Sequence, residues 1–562
     1  MFESAFIEFS VLLAVSAVVG IIAVQLKQPL IVAFIAVGII VGPAVLGVVT
    51  LTDQINLLAH LGIAILLFVV GLKLDLHIIK TMGVVALFTG LGQVIFTSVF
   101  GFLIAMALGM TPIVSVYVAV ALTFSSTIII VKLLSDKREL DALHGRIAIG
   151  FLIVQDIVVV LAMIGLTATG QAQESSSVGM DAFMVLLKGI MMLIVVALLM
   201  RYVIPPLLNR LAHSPELLIL FAIAWAMVGA SAGYSLGFSQ EVGAFLAGIS
   251  LASTHYRELI GARLVSLRDF LLLFFFISLG ASLEMETLGA QVGPALLLSI
   301  FVLVGNPVIV MVIMGYMGYL KRTGFLAGLT VAQISEFSLI LAALGLSLGH
   351  IDKETVGLIT LVGLITISVS TYMILYSHPL YRILAPYLSI FERKIPYREA
   401  ALDQESVAQK TDVIIFGLGR FGMAIAKHLQ DQGLHVIAVD FNPDLLRKTS
   451  EHSVPTRYGD AEDPEFIATL PLNEAKWVIG TIRDRHVNLS LFKALKEDKY
   501  QGKVALEVVN AQDEIEFKAM GVDRVLLPYH DASFEAVRRI LTDEVESNKN
   551  PFIDNINQVK GN

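Results

Sequence analysis

Along the first 380 positions, apolar residues run in blocks of roughly the length that crosses a bilayer, each closed by a short polar stretch. The blocks fall near 5–25, 30–48, 54–72, 83–108, 112–133, 145–167, 181–205, 216–236, 240–254, 267–283, 290–318, 324–348 and 355–378, which predicts about thirteen spans. The ninth and tenth are short for a span. Beyond about residue 390 the pattern changes. Asp, Glu, Lys and Arg become dense, and the apolar positions gather into short β-branched runs separated by helical patterns. The chain therefore divides into a membrane region 1–380, a linker 381–410, an α/β unit 411–530, and a C-terminal helix and tail 531–562.

The charges between the blocks give an orientation. With the N-terminus outside, the inner connections carry Lys27, Lys73, Lys80, Lys132, Lys137, Arg138, Arg146, Arg201, Arg210, Arg257, Arg263, Arg268, Lys321 and Arg322. The outer connections carry Lys353 and, at a margin, Lys188. That bias follows the positive-inside rule, and an odd number of spans then places the C-terminal unit in the cytoplasm. Composition agrees: 56% of the residues are hydrophobic and 15% charged, against about 25% charged in ordinary globular domains. The absence of cysteine excludes disulfides and thiolate metal sites. No basic stripe points to nucleic acid. The first apolar block lacks a basic leader and a small-residue cleavage site, and reads as a retained helix.

Three polar interruptions carry candidate chemistry. Asp156, preceded by Gln155, sits near the middle of the run IAIGFLIVQDIVVVLAMIGL. A carboxylate at bilayer depth costs at least about 2.5–3.5 kcal/mol, so such groups mark ion or proton sites by default. Thr123, Ser125, Ser126 and Thr127 interrupt the fifth block, and Gln333, Ser335, Glu336 and Ser338 the twelfth. Such clusters either glue helices together or mark discontinuous helices whose ends meet a cation near the midplane, as in an inverted repeat.

In the C-terminal unit, a β-branched strand at 412–416 runs into Gly417-Leu418-Gly419-Arg420-Phe421-Gly422, then a helix, then a strand ending in Asp440. The first glycine permits a tight turn, the second lets a pyrophosphate approach the backbone, and the third lets helix and strand pack closely. Asp440 stands where a ribose-binding acid belongs, and Asp460 follows the third strand. Four further strand patterns complete an open parallel Rossmann-like sheet. No second catalytic domain accompanies it, which favours a nucleotide sensor over a dehydrogenase.

Gln155-Asp156, the hydroxyl run, the AQISEF segment, IIFGLGRFG and YGDAED together resemble the cation:proton antiporter-2 family. The likeness is to its Kef-type branch, with a C-terminal RCK/TrkA-N domain of the kind that regulates potassium conductance. It implies a polytopic α-helical protein of the bacterial inner membrane with crossed broken helices, working as a homodimer. It implies K+ or Na+ exchanged for protons by alternating access at Asp156, the monovalent-cation ligand. Gln155, Thr123, Ser125, Ser126, Thr127, Gln333 and Glu336 would stand around that site. AMP or NAD(H) would bind through Gly417, Gly419, Arg420, Phe421, Gly422, Asp440 and Asp460. Two departures stand out. Many relatives carry a lysine before proline in the eleventh span, where this chain has Asn306-Pro307. The stretch HYRELIGARLVSLRD is net basic, whereas glutathione-gated relatives carry an acidic loop there. A potassium channel remains the competing class, although no TVGYG-like filter is present. A membrane oxidoreductase lacks haem-ligand histidines in the spans.

Overall fold

A computed structural model describes residues 5–42, 53–73, 83–137, 139–140, 142–171, 191, 194–196, 198–211, 214–236, 238–283, 285–393, 411–442, 445–446 and 454–547. Two compact units result, one built mainly from residues before 395 and one mainly from those after.

Among the described residues, the regular elements of the first unit are all helices. Its early helices are α1 (Ala5–Gln25), α2 (Leu30–Val41), α3 (Asp53–Lys73) and α4 (Gly83–Ala107). Next come α5 (Pro112–Ala121), α6 (Thr127–Asp136) and α7 (Leu143–Gln171). After a π-helical turn at Leu199–Val203 follow α8 (Ile204–Leu211), α9 (Pro215–Ser235), α10 (Gln240–Ala252) and α11 (Arg257–Ala281). The last group is α12 (Met285–Ile300), α13 (Asn306–Tyr316), α14 (Lys321–Leu329), α15 (Glu336–Ser347), α16 (Lys353–Leu375) and α17 (Ser377–Leu388). Among the described residues, eight helical stretches are long and apolar enough to cross a bilayer, and shorter apolar helices accompany them.

Both hydroxyl-rich interruptions are true breaks. The fifth block divides into α5 and α6, and the twelfth into α14 and α15. The first break, residues 122–126, is buried throughout, and so is the whole second segment from Arg322 to Leu344 apart from Ala343. Irregular backbone survives at membrane depth only when protein surrounds it. The eleventh block also departs from a plain helix. A π-helical turn, Phe301–Gly305, precedes Asn306-Pro307, where proline has no N–H to give to the ladder.

The tenth element differs from expectation. Arg257, Arg263 and Arg268, read as loop residues, lie on α11, which starts ten residues earlier than its apolar block. Hydropathy marks where lipid contact ends, not where backbone hydrogen bonding ends. Arg268 is buried and held by Asp269 at 2.7 Å. Further along, α11 packs backbone to backbone on α2. A Cβ on Gly38 would strike the Ile277 carbonyl, and one on Gly280 the Ile35 carbonyl, the small-residue packing typical of membrane helices. Of the span expected at 30–48, the helix ends at Val41, and 43–48 lie outside the described residues. Residues 181–190 of the seventh span also lie outside them. The stretch read as a linker from 381 begins inside α17.

The second unit holds one parallel six-stranded sheet in the order β3-β2-β1-β4-β5-β6. Its strands are β1 (Val413–Phe416), β2 (Val436–Asp440), β3 (Thr456–Tyr458), β4 (Trp477–Gly480), β5 (Lys503–Glu507) and β6 (Arg524–Leu526). Helices α18 (Arg420–Asp431), α19 (Pro464–Ile467), α20 (Arg485–Glu497) and α21 (Ala511–Ala519) join the strands, and α22 (Pro528–Ser547) follows the sheet. β1 and β2 are buried at every position, as strands covered on both faces of such a sheet are. The strand order reverses between β1 and β4, and ligands of open α/β sheets bind at that switch point.

Candidate functional site

Asp156 stands on α7 and meets the first break. The Thr127 hydroxyl donates to Asp156 Oδ2 at 2.9 Å. Thr127 is the first residue of α6, so the carboxylate faces a helix N-terminus, where a negative charge is favoured. The neighbouring Gln155 is wholly buried. It points elsewhere because successive residues on a helix face different directions. Its Oε1 accepts the Ser125 N–H at 3.0 Å.

The other three hydroxyls of the run do not touch Asp156. Ser126 is the N-cap of α6 and accepts the Ile129 N–H at 3.3 Å. Thr123 donates back to the Ala119 carbonyl at 2.8 Å. The Ser125 hydroxyl donates to the Val331 carbonyl in the second break at 3.4 Å. These groups satisfy backbone atoms that a broken helix leaves without partners. The two breaks are therefore in direct contact.

In the second break, Ser335 caps α15 in a capping box with Ser338. Glu336, the next residue, is buried, and the Ser335 hydroxyl donates to its Oε2 at 3.4 Å. Gln333 accepts a hydrogen bond from Ser370 at 2.8 Å, while its Nε2 finds no acceptor among the described residues. Glu336 also lines a cavity of about 560 Å³ between α1, α2, α6, α11, α15 and α16. Its walls are mostly apolar, and its other charged residues, Lys27, Lys132, Asp136 and Asp269, include the last residue of α6. The cavity follows α6 from that end to Ile128, beside Thr127, a length of about 12 Å.

The glycine-rich turn of the second unit is built as its spacing requires. Gly417 has φ +93°, the left-handed region, and its N–H bonds the Val439 carbonyl at 2.9 Å. A Cβ on Gly422 would strike the Gly417 carbonyl and the Thr481 hydroxyl. A Cβ on Gly419 would meet nothing within 4 Å, which leaves room at the N-terminus of α18 for a phosphate. Arg420 is exposed and Phe421 half-buried on the first turn of that helix. Asp440 accepts the N–H groups of Leu418 at 2.6 Å and Asn442 at 2.8 Å. Burial pushes its carboxyl up, while those backbone donors pull it down. Asp460 follows β3 and accepts the Glu462 N–H at 2.9 Å. The turn thus has the open approach and the buried acid that a nucleotide needs.

Two residues that the sequence reading passed over, and a third that it read only as a departure from a lysine, complete the membrane site. Gln93 and Thr97 on α4, and Asn306 at the start of α13, are wholly buried among the breaks. Gln93 Nε2 donates to the Thr123 carbonyl at 3.1 Å, and Asn306 Nδ2 to the Val331 carbonyl at 3.2 Å. One available signal was the spacing of Gln93 and Thr97, four apart on one face of a lipid-length helix.

Residues 12–375 match the family described as sodium/hydrogen exchanger, transmembrane, and residues 413–528 match the TrkA-N domain. The chain is similar to a putative K(+) efflux antiporter KefB of Alkalimonas amylolytica, 28% identical over 470 residues, covering 83% of this chain and 70% of that one. It is also similar to the glutathione-regulated potassium-efflux system protein KefC of Klebsiella pneumoniae, 26% identical over 543 residues, with 95% and 84% covered. Among solved structures, the sodium proton antiporter of Methanocaldococcus jannaschii aligns at 18% identity with TM-score 0.46, covering 69% of this chain and 97% of that one.

Proposed function

Because the chain belongs to the sodium/hydrogen exchanger, transmembrane, family, we propose that it exchanges a monovalent cation, K+ before Na+, for protons at Asp156. It is a multi-pass membrane transporter and not an enzyme. The observation that carries the reading is the Asp156 carboxylate at the N-terminus of a broken helix, held by one hydroxyl. A proton and a cation compete for that carboxylate, and alternating access presents it to one face of the membrane and then the other. Thr127 supplies the nearest neutral ligand, while Gln155, Thr123, Ser125 and Ser126 hold the break in place. Gln333 and Glu336 belong to the facing segment, and the cavity above Glu336 is the aqueous route on one side. Support for K+ over Na+ comes from the two potassium-efflux relatives.

The TrkA-N domain is the regulatory part. Gly417, Gly419, Arg420, Phe421 and Gly422 would hold the phosphates of AMP or NAD(H), with Asp440 on the ribose and Asp460 beside it. A nucleotide contributes phosphate charge and a ribose. The chain's own residues contribute the open turn, the helix N-terminus and the buried acceptor. A bound nucleotide regulates transport only if it favours one transport state over another. The full assembly would be a homodimer in the bacterial inner membrane with this domain in the cytoplasm. The divisions at about residues 380, 410 and 530 belong to the same proposal.

The test is reconstitution in vesicles under an imposed pH gradient, following proton movement on addition of K+, Na+ or Rb+. Wild type should show cation-dependent proton flux and Asp156→Asn none. Equal flux in both would sink the mechanism, and cation current without proton coupling would favour a channel.

A further inference from the structure

The buried amides around the breaks form one directed chain. The Ser125 N–H donates to Gln155 Oε1 at 3.0 Å, and Gln155 Nε2 donates to Gln93 Oε1 at 2.7 Å. Gln93 Nε2 donates to Thr97 Oγ1 at 3.0 Å, and the Thr97 hydroxyl donates to Asn306 Oδ1 at 2.6 Å. Asn306 Nδ2 closes the chain on the Val331 carbonyl at 3.2 Å. Every link points the same way. The chain starts on a backbone donor of the first break and ends on a backbone acceptor of the second. Reversing the Gln93 amide would turn its oxygen on the Thr123 carbonyl and its nitrogen on the Gln155 nitrogen, so the direction is fixed by the partners.

We propose that Gln93, Thr97 and Asn306 are positioning residues that tie the two breaks and the Asp156 helix into one body. The proposal rests on the reading of Asp156 as the exchange site. Three physical points support it. All four side chains of the chain are 0% exposed, so water cannot substitute for a lost link. Hydrogen bonds in series polarise one another, which makes the whole stiffer than its parts. None of the four side chains is ionisable, so the chain holds Gln155, the neighbour of Asp156, without competing for the transported proton. The Thr123 carbonyl accepts from Gln93, and the Val331 carbonyl accepts from both Asn306 and the Ser125 hydroxyl, so the chain also holds backbone oxygens of both breaks.

Thr97 tests the idea best, because it lies on a different helix from Asp156 and its hydrogen bonds go to Gln93 and Asn306. Thr97→Val keeps the shape and removes the hydroxyl, cutting the chain between Gln93 and Asn306. Thr97→Ser keeps the link. In the vesicle assay, Thr97→Val should raise the cation KM about tenfold, the equivalent of one buried polar group left unpaired, with kcat nearly unchanged. Thr97→Ser should stay near wild type. Gln93→Leu should raise KM comparably, and the double variant should be no worse than the more affected single, since both cut one chain. A wild-type KM in Thr97→Val, or a Thr97→Ser as impaired as Thr97→Val, overturns the proposal. If Thr97→Val does not accumulate in the membrane, Gln93→Leu alone carries the same readout. Activity in Asp156→Asn would remove the exchange reading itself. A dead Asp156→Asn beside a wild-type Thr97→Val would remove only the positioning role of the amide chain.

Discussion

Glutamine in place of Glu139 keeps the side chain's shape and removes the charge on which three neighbours converge. Glu139 lies between α6 and α7, outside the spans, with its side chain 15% exposed. Lys137 Nζ stands 2.9 Å and His378 Nε2 2.7 Å from its Oε1, and His144 Nε2 stands 3.1 Å from Oε2. His378 Nδ1 faces the Arg322 guanidinium at 3.3 Å. A guanidinium only donates, so Nδ1 accepts and Nε2–H is the proton given to Glu139. Burial alone would push this carboxyl up. The hydrogen bonds from His144 and His378, with the charge of Lys137, hold it well below the usual carboxylate range instead. Deleting one partner from a largely buried charge cluster costs about 3 kcal/mol, a drop of a few degrees in melting temperature. The folded-state value is depressed, so the contribution is complete above the ordinary carboxylate value and is lost progressively as pH falls below it. Thermal unfolding of wild type and Glu139→Gln in detergent, followed by gel filtration, reads this directly. The gap between them should be constant near neutral pH and narrow below about pH 4. No gap at neutral pH, or one that does not narrow below about pH 4, refutes the assignment.

Two pairs of substitutions separate fold from function elsewhere. Gly419→Trp fills the open approach at the nucleotide turn, so the full chain should lose AMP and NADH binding by calorimetry at an unchanged melting temperature. Gly422→Ala meets the Gly417 carbonyl and the Thr481 hydroxyl, so it should lose binding and stability together. Ser126→Ala removes the α6 cap and should cost about 1 kcal/mol in thermal unfolding with little change in cation KM. Thr127→Val removes the hydroxyl on Asp156 and should raise KM about tenfold or more in the vesicle assay. Equal KM in those two variants would contradict the separate roles given to the two hydroxyls.

The breaks were legible because polar groups inside lipid-length apolar runs must be satisfied locally. What each group does there was not. By composition Thr123, Ser125, Ser126 and Thr127 are interchangeable, yet only Thr127 reaches Asp156. Which hydroxyl faces the carboxylate depends on where the backbone leaves and re-enters the helix, a matter of a few residues. Gln93 and Thr97 escaped notice because their partners are remote in sequence, and Asn306 because it was weighed only as a missing charge. The nucleotide turn was readable in detail for the opposite reason. Strand, glycines, helix and acid are contiguous, and each glycine answers a local steric demand.

If Asn306 holds the position that the Kef-type resemblance gives to a lysine, its contacts give that difference a physical sense. A lysine there would be a buried ionisable group, and its desolvation would have to be offset by pairing with a carboxylate. Asn306 instead accepts from Thr97 and donates to the Val331 carbonyl, so it ties α4 to the second break without a charge. An amide can join a neutral chain at both ends, whereas an ammonium only donates and would leave Thr97 with no acceptor at that position. On the proposed reading, the amide chain and a paired lysine would be alternative ways of holding two broken helices against each other. In this chain the neutral solution adds no charge between the breaks, and the proposed exchange is left to the Asp156 carboxylate, held by the Thr127 hydroxyl.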